Sequence, residues 1–252
     1  MQFLWSGASA VRESLYGSAA IIDNDGATKA VGLAGLGVAA GANANSKLRW
    51  RMQGATGNNY TAFTVVTDTV GRGALRIPFS TDNPADIRRL QIRISATNQA
   101  EITVFDTTGT AVNIAGGSVS AGLNVIAARV NGTAISVWLN GVNTASGTLA
   151  AAAQSHTVGS TIAVGNLASP ATAAQPMRGP IHLCALINGA LSDGEMAHYG
   201  GPHALPLLWQ LFAPRRVWVP QAAITGLPTL SLPTYTPGSL TATGFRPRVT
   251  AS

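Results

Sequence analysis

Two Asn-Gly dipeptides, Asn131-Gly132 and Asn140-Gly141, sit one strand apart and constrain this chain more than any other feature. Asn and Gly both tolerate positive φ, and the type I′ turn they favour has a twist that matches the strands on either side. The segments around them alternate as strands should: Asn124–Val130, then Thr133–Leu139, with Ile135, Val137 and Leu139 on one face and Ser136 and Trp138 on the other. The sequence therefore predicts a three-stranded antiparallel meander. A ribbon of this kind must bury its apolar face against a second layer.

The surrounding sequence supplies that layer. Leu90–Ser95 alternates with period two, and Ala62–Thr67 and Glu101–Phe105 are rich in Val, Ile, Phe and Thr. Thr107-Thr108-Gly109 reads as the loop of a hairpin joining Glu101–Asp106 to Thr110–Ile114. Thr161–Val164 and Ile181–Ile187 read as further strands, the second apolar on both faces as a central strand would be. One helix is expected. Ser192-Asp193-Gly194-Glu195 is a capping box, and Gly200-Gly201-Pro202 stops whatever it starts. The fold class this predicts is all-β: an antiparallel β-sandwich with one short helical turn.

Composition separates the last fifty residues from the rest. The chain is 46% hydrophobic and only 10% charged, which is not the balance of a disordered protein. After Pro202, Leu205–Phe212 is apolar, and residues 220–252 hold five prolines among many Thr and Ser. Repeated proline excludes helix and central strand. We read residues 1–203 as the sandwich and 204–252 as an extended C-terminal arm, too apolar to be a free linker and expected to lie on its own domain or on another subunit. Candidate partner-binding residues in it are Trp209, Phe212, Arg215, Arg216, Trp218, Tyr235, Phe245, Arg246 and Arg248.

Charge and motif chemistry argue mostly by exclusion. Of the net charge of +6, residues 204–252 carry +4 as two arginine pairs, and the remainder of the chain carries +2. That is not the continuous basic surface that nucleic acid requires. The most apolar run, Ala30–Ala42, is too short and too rich in Ala and Gly to span a bilayer, and no basic stretch precedes an apolar run at the N-terminus. Gly35-Leu36-Gly37 lacks the strand-before, helix-after context of a phosphate loop. His198 and His203 are not at helical metal-ligand spacing, Asp23-Asn24-Asp25-Gly26 reads as a turn without the later glutamate of a calcium loop, and no Gly-x-Ser-x-Gly elbow exists. Cys184, the single cysteine, lies in an apolar strand and should be an inert core thiol. No catalytic residue, metal or cofactor is expected. Trp138 either stacks on a ligand or lies in the second layer, and packing is favoured because aromatics mostly contribute buried area.

From Asn131-Gly132 through Ile162-Ala163-Val164-Gly165 and Gly179-Pro180-Ile181 to Ala190-Leu191-Ser192-Asp193-Gly194-Glu195-Met196, the pattern resembles the laminin-G-like, concanavalin-A-like family over roughly residues 60–200. The resemblance implies a jelly-roll sandwich. Where that family has acidic residues this chain has His182 and Asn140, and Glu101–Asp106 lacks the spacing of the related glucanases, so neither a calcium site there nor glucanase activity is implied. Trp209–Pro220 and Arg246–Thr250 resemble the C-terminal end of phage and prophage structural proteins that bear such domains. The two resemblances together imply a non-enzymatic virion structural protein, a tail, fibre or capsid decoration component. It would be made in the host cytoplasm, oligomeric, and attached to other virion proteins through the arm. The alternative is a carbohydrate-binding module for host-surface glycans, with Trp138 as a possible contact. Neither nucleic acid nor membrane insertion is expected.

Overall fold

The structure is a computed structural model. It describes residues 47–201, apart from 69–72, 84, 86, 169–174 and 178, and the backbones of four short strands before residue 40. The chain divides into Met1–Ala213 and Pro214–Ser252, and the described residues all belong to the first of these units. All nine candidate residues of the C-terminal arm, from Trp209 to Arg248, lie outside the described residues.

Two antiparallel sheets form the body. The first contains β1 (Phe3–Ser6), β3 (Thr28–Gly32), β4 (Gly35–Ala39), β6 (Asn59–Asp68), β11 (Gly122–Asn131), β12 (Ala134–Leu139), β13 (Val142–Thr148) and β15 (Ile181–Asn188). Its order is β13-β12-β11-β6-β15-β4-β3, with β1 also paired to β15. The second contains β2 (Ile21–Asp25), β5 (Lys47–Arg51), β7 (Arg76–Asp82), β8 (Arg88–Ile94), β9 (Gln99–Phe105), β10 (Ala111–Ser118) and β14 (Thr161–Val164). Its order is β10-β9-β8-β7-β14-β5-β2. The one helix among the described residues, α1, spans Asp193–Gly200. The expected antiparallel sandwich is the fold observed.

The predicted alternation decides which side chains meet between the sheets. Ile135, Val137 and Leu139 of β12 join Ile126, Ala128 and Val130 of β11 and Tyr60, Ala62 and Val66 of β6. They face Trp50, Phe79, Leu90, Ile92, Ile102 and Val104 of the other sheet. Trp50 and Phe79 are fully buried, and burial of each such side chain contributes about 1.5–3 kcal/mol. As its two apolar faces imply, β15 is central, held between β6 on one side and β1 and β4 on the other.

The two Asn-Gly turns differ. Asn140 and Gly141 have φ of 52° and 82°, as a type I′ turn requires. At the first turn only Gly132 has positive φ, 63°. Asn131 stays extended because it pairs with Ala134 in β12 and with Asn59 in β6. The turn residues are therefore Gly132 and Thr133, and positive φ at the first alone is the type II′ pattern. Upstream, Asp23-Asn24-Asp25 is strand rather than turn: Asp23 pairs with Arg49 and Asp25 with Lys47. Gly35–Ala39 is likewise a strand, paired with β3 and β15, and no phosphate loop forms there.

Candidate functional site

Outward-facing residues of β11, β12 and β13 form the floor of a groove of about 600 Å³. Each floor position follows from strand parity: where Val130 and Ile135 point into the core, Arg129, Asn131, Ala134 and Ser136 point out. The register sets Arg129 opposite Ser136 and Ser136 opposite Ser146. A second row sets Asn131 opposite Ala134 and Ala134 opposite Thr148. The floor is thus small hydroxyls and methyls, with β13 the last strand of its sheet.

Residues 190–193, the chain entering α1, form the wall. Thr61 pins this segment to β6, donating to the Gly189 carbonyl at 3.0 Å and accepting from the Leu191 amide at 3.1 Å. Beyond it the expected capping box is complete. Ser192 Oγ accepts from the Glu195 amide, and the Glu195 carboxylate accepts from the Ser192 amide at 2.8 Å. The Ser192 hydroxyl, which also donates to this carboxylate at 2.7 Å, and after it the Ser192 amide hold the Glu195 carboxyl below its usual range.

Arg129 is the cation of the groove. Its guanidinium lies 5.2 Å from the Trp138 ring centroid, and Nη1 donates to the Leu191 carbonyl at 3.2 Å and to Asp193 Oδ1. The cation–π contact is worth about 0.5–1 kcal/mol. The ion pair contributes less than a buried one would, because Asp193 is 77% exposed. Its effect is geometric: a donor and an acceptor are held side by side at the groove wall with no net charge.

Trp138 is a packed residue of the second layer. It is 5% exposed, packed with Phe63, Val65, Val125, Ala127, Leu183 and Met196 in a second apolar cluster. Its indole N–H donates to Ser136 Oγ at 2.9 Å. This is the packing that the sequence favours for Trp138, with Arg129 against the ring and Met196 of α1 in the same cluster. Met196 brings α1 onto this cluster, and the Asn140-Gly141 turn meets the helix so closely that a Cβ on Gly141 would lie 2.8 Å from the Ala197 carbonyl oxygen.

Elsewhere the chemically suggestive residues are structural. His156 is fully buried, with Nδ1 2.9 Å from Thr56 Oγ1 and Nε2 2.7 Å from Thr81 Oγ1. Desolvation chiefly, and the nearby Arg89 cation, push its pKa down to about 3. His182 is buried and bonded to Thr67 Oγ1 at 2.8 Å. Cys184 is buried beside Thr64, its thiol pushed up to about 12 by desolvation. Asp106 organises its turn by accepting from the Thr108 and Thr110 amides, each at 2.9 Å. Among the described residues no three His, Cys, Asp or Glu side chains cluster as metal ligands, and no helix is long and apolar enough to cross a membrane.

No protein-family model matches the chain, and no curated protein matches it by sequence. Solved structures do resemble it. Domain 4 of AbnA, a GH43 extracellular arabinanase from Geobacillus stearothermophilus, aligns over 79% of this chain and 100% of its own, with 18% identity and a TM-score of 0.54. The binding domain of Paraclostridial Mosquitocidal Protein 1 aligns over 78% of this chain and 51% of its own (13% identity, TM-score 0.56). A SAP-like pentraxin from Limulus polyphemus aligns over 65% and 79% respectively (11%, 0.52). The fold is a jelly-roll β-sandwich. At these identities the likeness is one of fold alone.

Proposed function

We propose that the sandwich is a carbohydrate-binding module and that the groove over β11–β13 is its site. One observation carries the reading: hydroxyls, a carboxamide and a pre-paired Arg129–Asp193 donor and acceptor line a concave surface of about 600 Å³, interspersed with small apolar side chains. Sugars present alternating hydroxyls and C–H faces, and such a surface matches both. Two of the fold neighbours are consistent with it, one solved in complex with arabinotriose and the other a binding domain. The module is read as a binder, Asp193 being the one acidic side chain among the described residues that line the groove. A glycan array probed with the full chain tests this. Wild type should bind a defined subset and Ser136→Trp, which fills the floor, should lose it. Equal binding by both, or none by wild type, would overturn the assignment.

The arm supports a second reading. Trp209–Pro220 and Arg246–Thr250 resemble phage structural proteins in sequence, and we propose that this arm attaches the module to other virion proteins. A chain lacking 204–252 should retain glycan binding but fail to enter particles. Normal incorporation would sink the attachment role.

A further inference from the structure

The groove's outline says which part of a glycan it fits. Resting on the carbohydrate reading, we infer that the ligand is an internal stretch of an extended, uncharged oligosaccharide laid across the strands, and not a terminal or acidic sugar.

Length comes from the register. Thr148, Ala134 and Asn131, which line the groove, and Asn59 just beyond its lining are consecutive cross-strand partners on β13, β12, β11 and β6, and three strand gaps of about 4.8 Å give a row of about 14 Å. One sugar ring cannot fill it. Among the described residues the row is also unobstructed. The parallel row through Ser146, Ser136 and Arg129 meets the 190–193 wall and ends at Thr61, which is fully buried beneath it. The outer row passes this wall, and Asn131, Ala134 and Asn59 are all exposed. At its other end β13 is the outermost strand among the described residues, and the trough leaves their sheet without a stop. A pocket for a chain end would be closed on one side.

Chemistry gives the class. Asn59 Oδ1 accepts the Gly132 amide at 2.7 Å, which fixes the carboxamide and assigns its Nδ2 as a donor available to a ligand. Asn131 adds a second carboxamide beside it on the neighbouring strand. The groove's cation, Arg129, is already neutralised by Asp193, so a carboxylated or sulfated sugar would bring its charge against Asp193 and find no unpaired positive partner among the lining residues. Hydroxyl-rich neutral residues meet donors and acceptors without that cost.

The test is calorimetric titration of the full chain with linear arabino-, xylo- and gluco-oligosaccharides from disaccharide to hexasaccharide, and with oligogalacturonides as the acidic arm. Affinity for one neutral series should climb about tenfold or more with length before levelling, and Asn131→Ala should lower affinity for the longest members about fivefold. Ala134→Arg, which blocks the row at an exposed position, should abolish the dependence on length. Binding that is equal for disaccharide and hexasaccharide would overturn this inference and leave the groove assignment standing. So would tighter binding of the acidic series. Failure of every oligosaccharide to bind would remove both.

Discussion

Acid should weaken this domain earlier than its carboxylates can explain, and His156 is the reason. The ring is fully buried, bonded at both nitrogens to threonine hydroxyls, and edge-on to Tyr60 at 4.8 Å between centroids. Protonation would give both nitrogens hydrogens and place a charge near the Arg89 guanidinium. The folded-state pKa is accordingly about 3, against 6.5 in an open chain. Because the folded value is depressed, the unfolded state takes up the proton first. The stability tied to the neutral ring is whole above pH 6.5 and drains as pH falls toward 3. The limiting slope is about 1.4 kcal/mol per pH unit, so roughly 2 kcal/mol disappears between pH 7.5 and 5. The lowered Asp106 and Glu195 carboxyls act in the same direction, but open-chain carboxyls titrate mainly below that window. Urea unfolding at fixed pH values from 7.5 to 5 measures the slope for wild type and for His156→Gln, which keeps a donor and an acceptor but no titration. Subtracting the two curves cancels the other histidines. If they run parallel across the window, the neutral, sealed ring is not the source and the reasoning fails.

Other substitutions probe the site's framework. Gly141→Ala should cost about 2–4 kcal/mol in chemical unfolding, since it combines positive φ with contact against the Ala197 carbonyl. Gly132→Ala, where φ is 63° and nothing lies within 4 Å of a Cβ, should cost only about 1–2. Equal losses would contradict the close approach of turn and helix. Trp138→Ala should lower stability by about 3–5 kcal/mol and leave Arg129 without its ring; a near-neutral result would mean that the ring is not packed. Ser192→Ala removes the cap for about 1 kcal/mol and returns the Glu195 carboxyl toward its ordinary value, a shift that side-chain NMR titration would detect.

The meander was legible because Asn-Gly is a local signal that survives tertiary context, and the helix because its cap is written in four adjacent residues. The type of the first turn was not, since Asn131 is held extended by pairing on both sides, one partner being Asn59, far away in sequence. Strand parity correctly separated Trp138 from the core face, yet gave no sign that α1 would pack there, because the helix brings only Met196 and a partly buried Tyr199 to that cluster. The groove itself was invisible. Its floor is Ser, Ala, Thr and Asn, residues too common to stand out, and its one charged pair joins Arg129 to Asp193 across 64 residues of sequence.

The attachment of α1 is slight. The helix has eight residues, too few to be stable by itself, and it is held by Met196 and a partly buried Tyr199, an exposed ion pair to Arg129, a cap and the back of a turn. Breathing of this corner therefore needs far less free energy than melting of the sheets, and its amides should exchange with solvent by local detachment while the strands stay protected. The same corner borders the site, so an occupant bridging floor and wall would clamp it. Slowed deuterium uptake along 190–200 would then report occupancy before any ligand had been named.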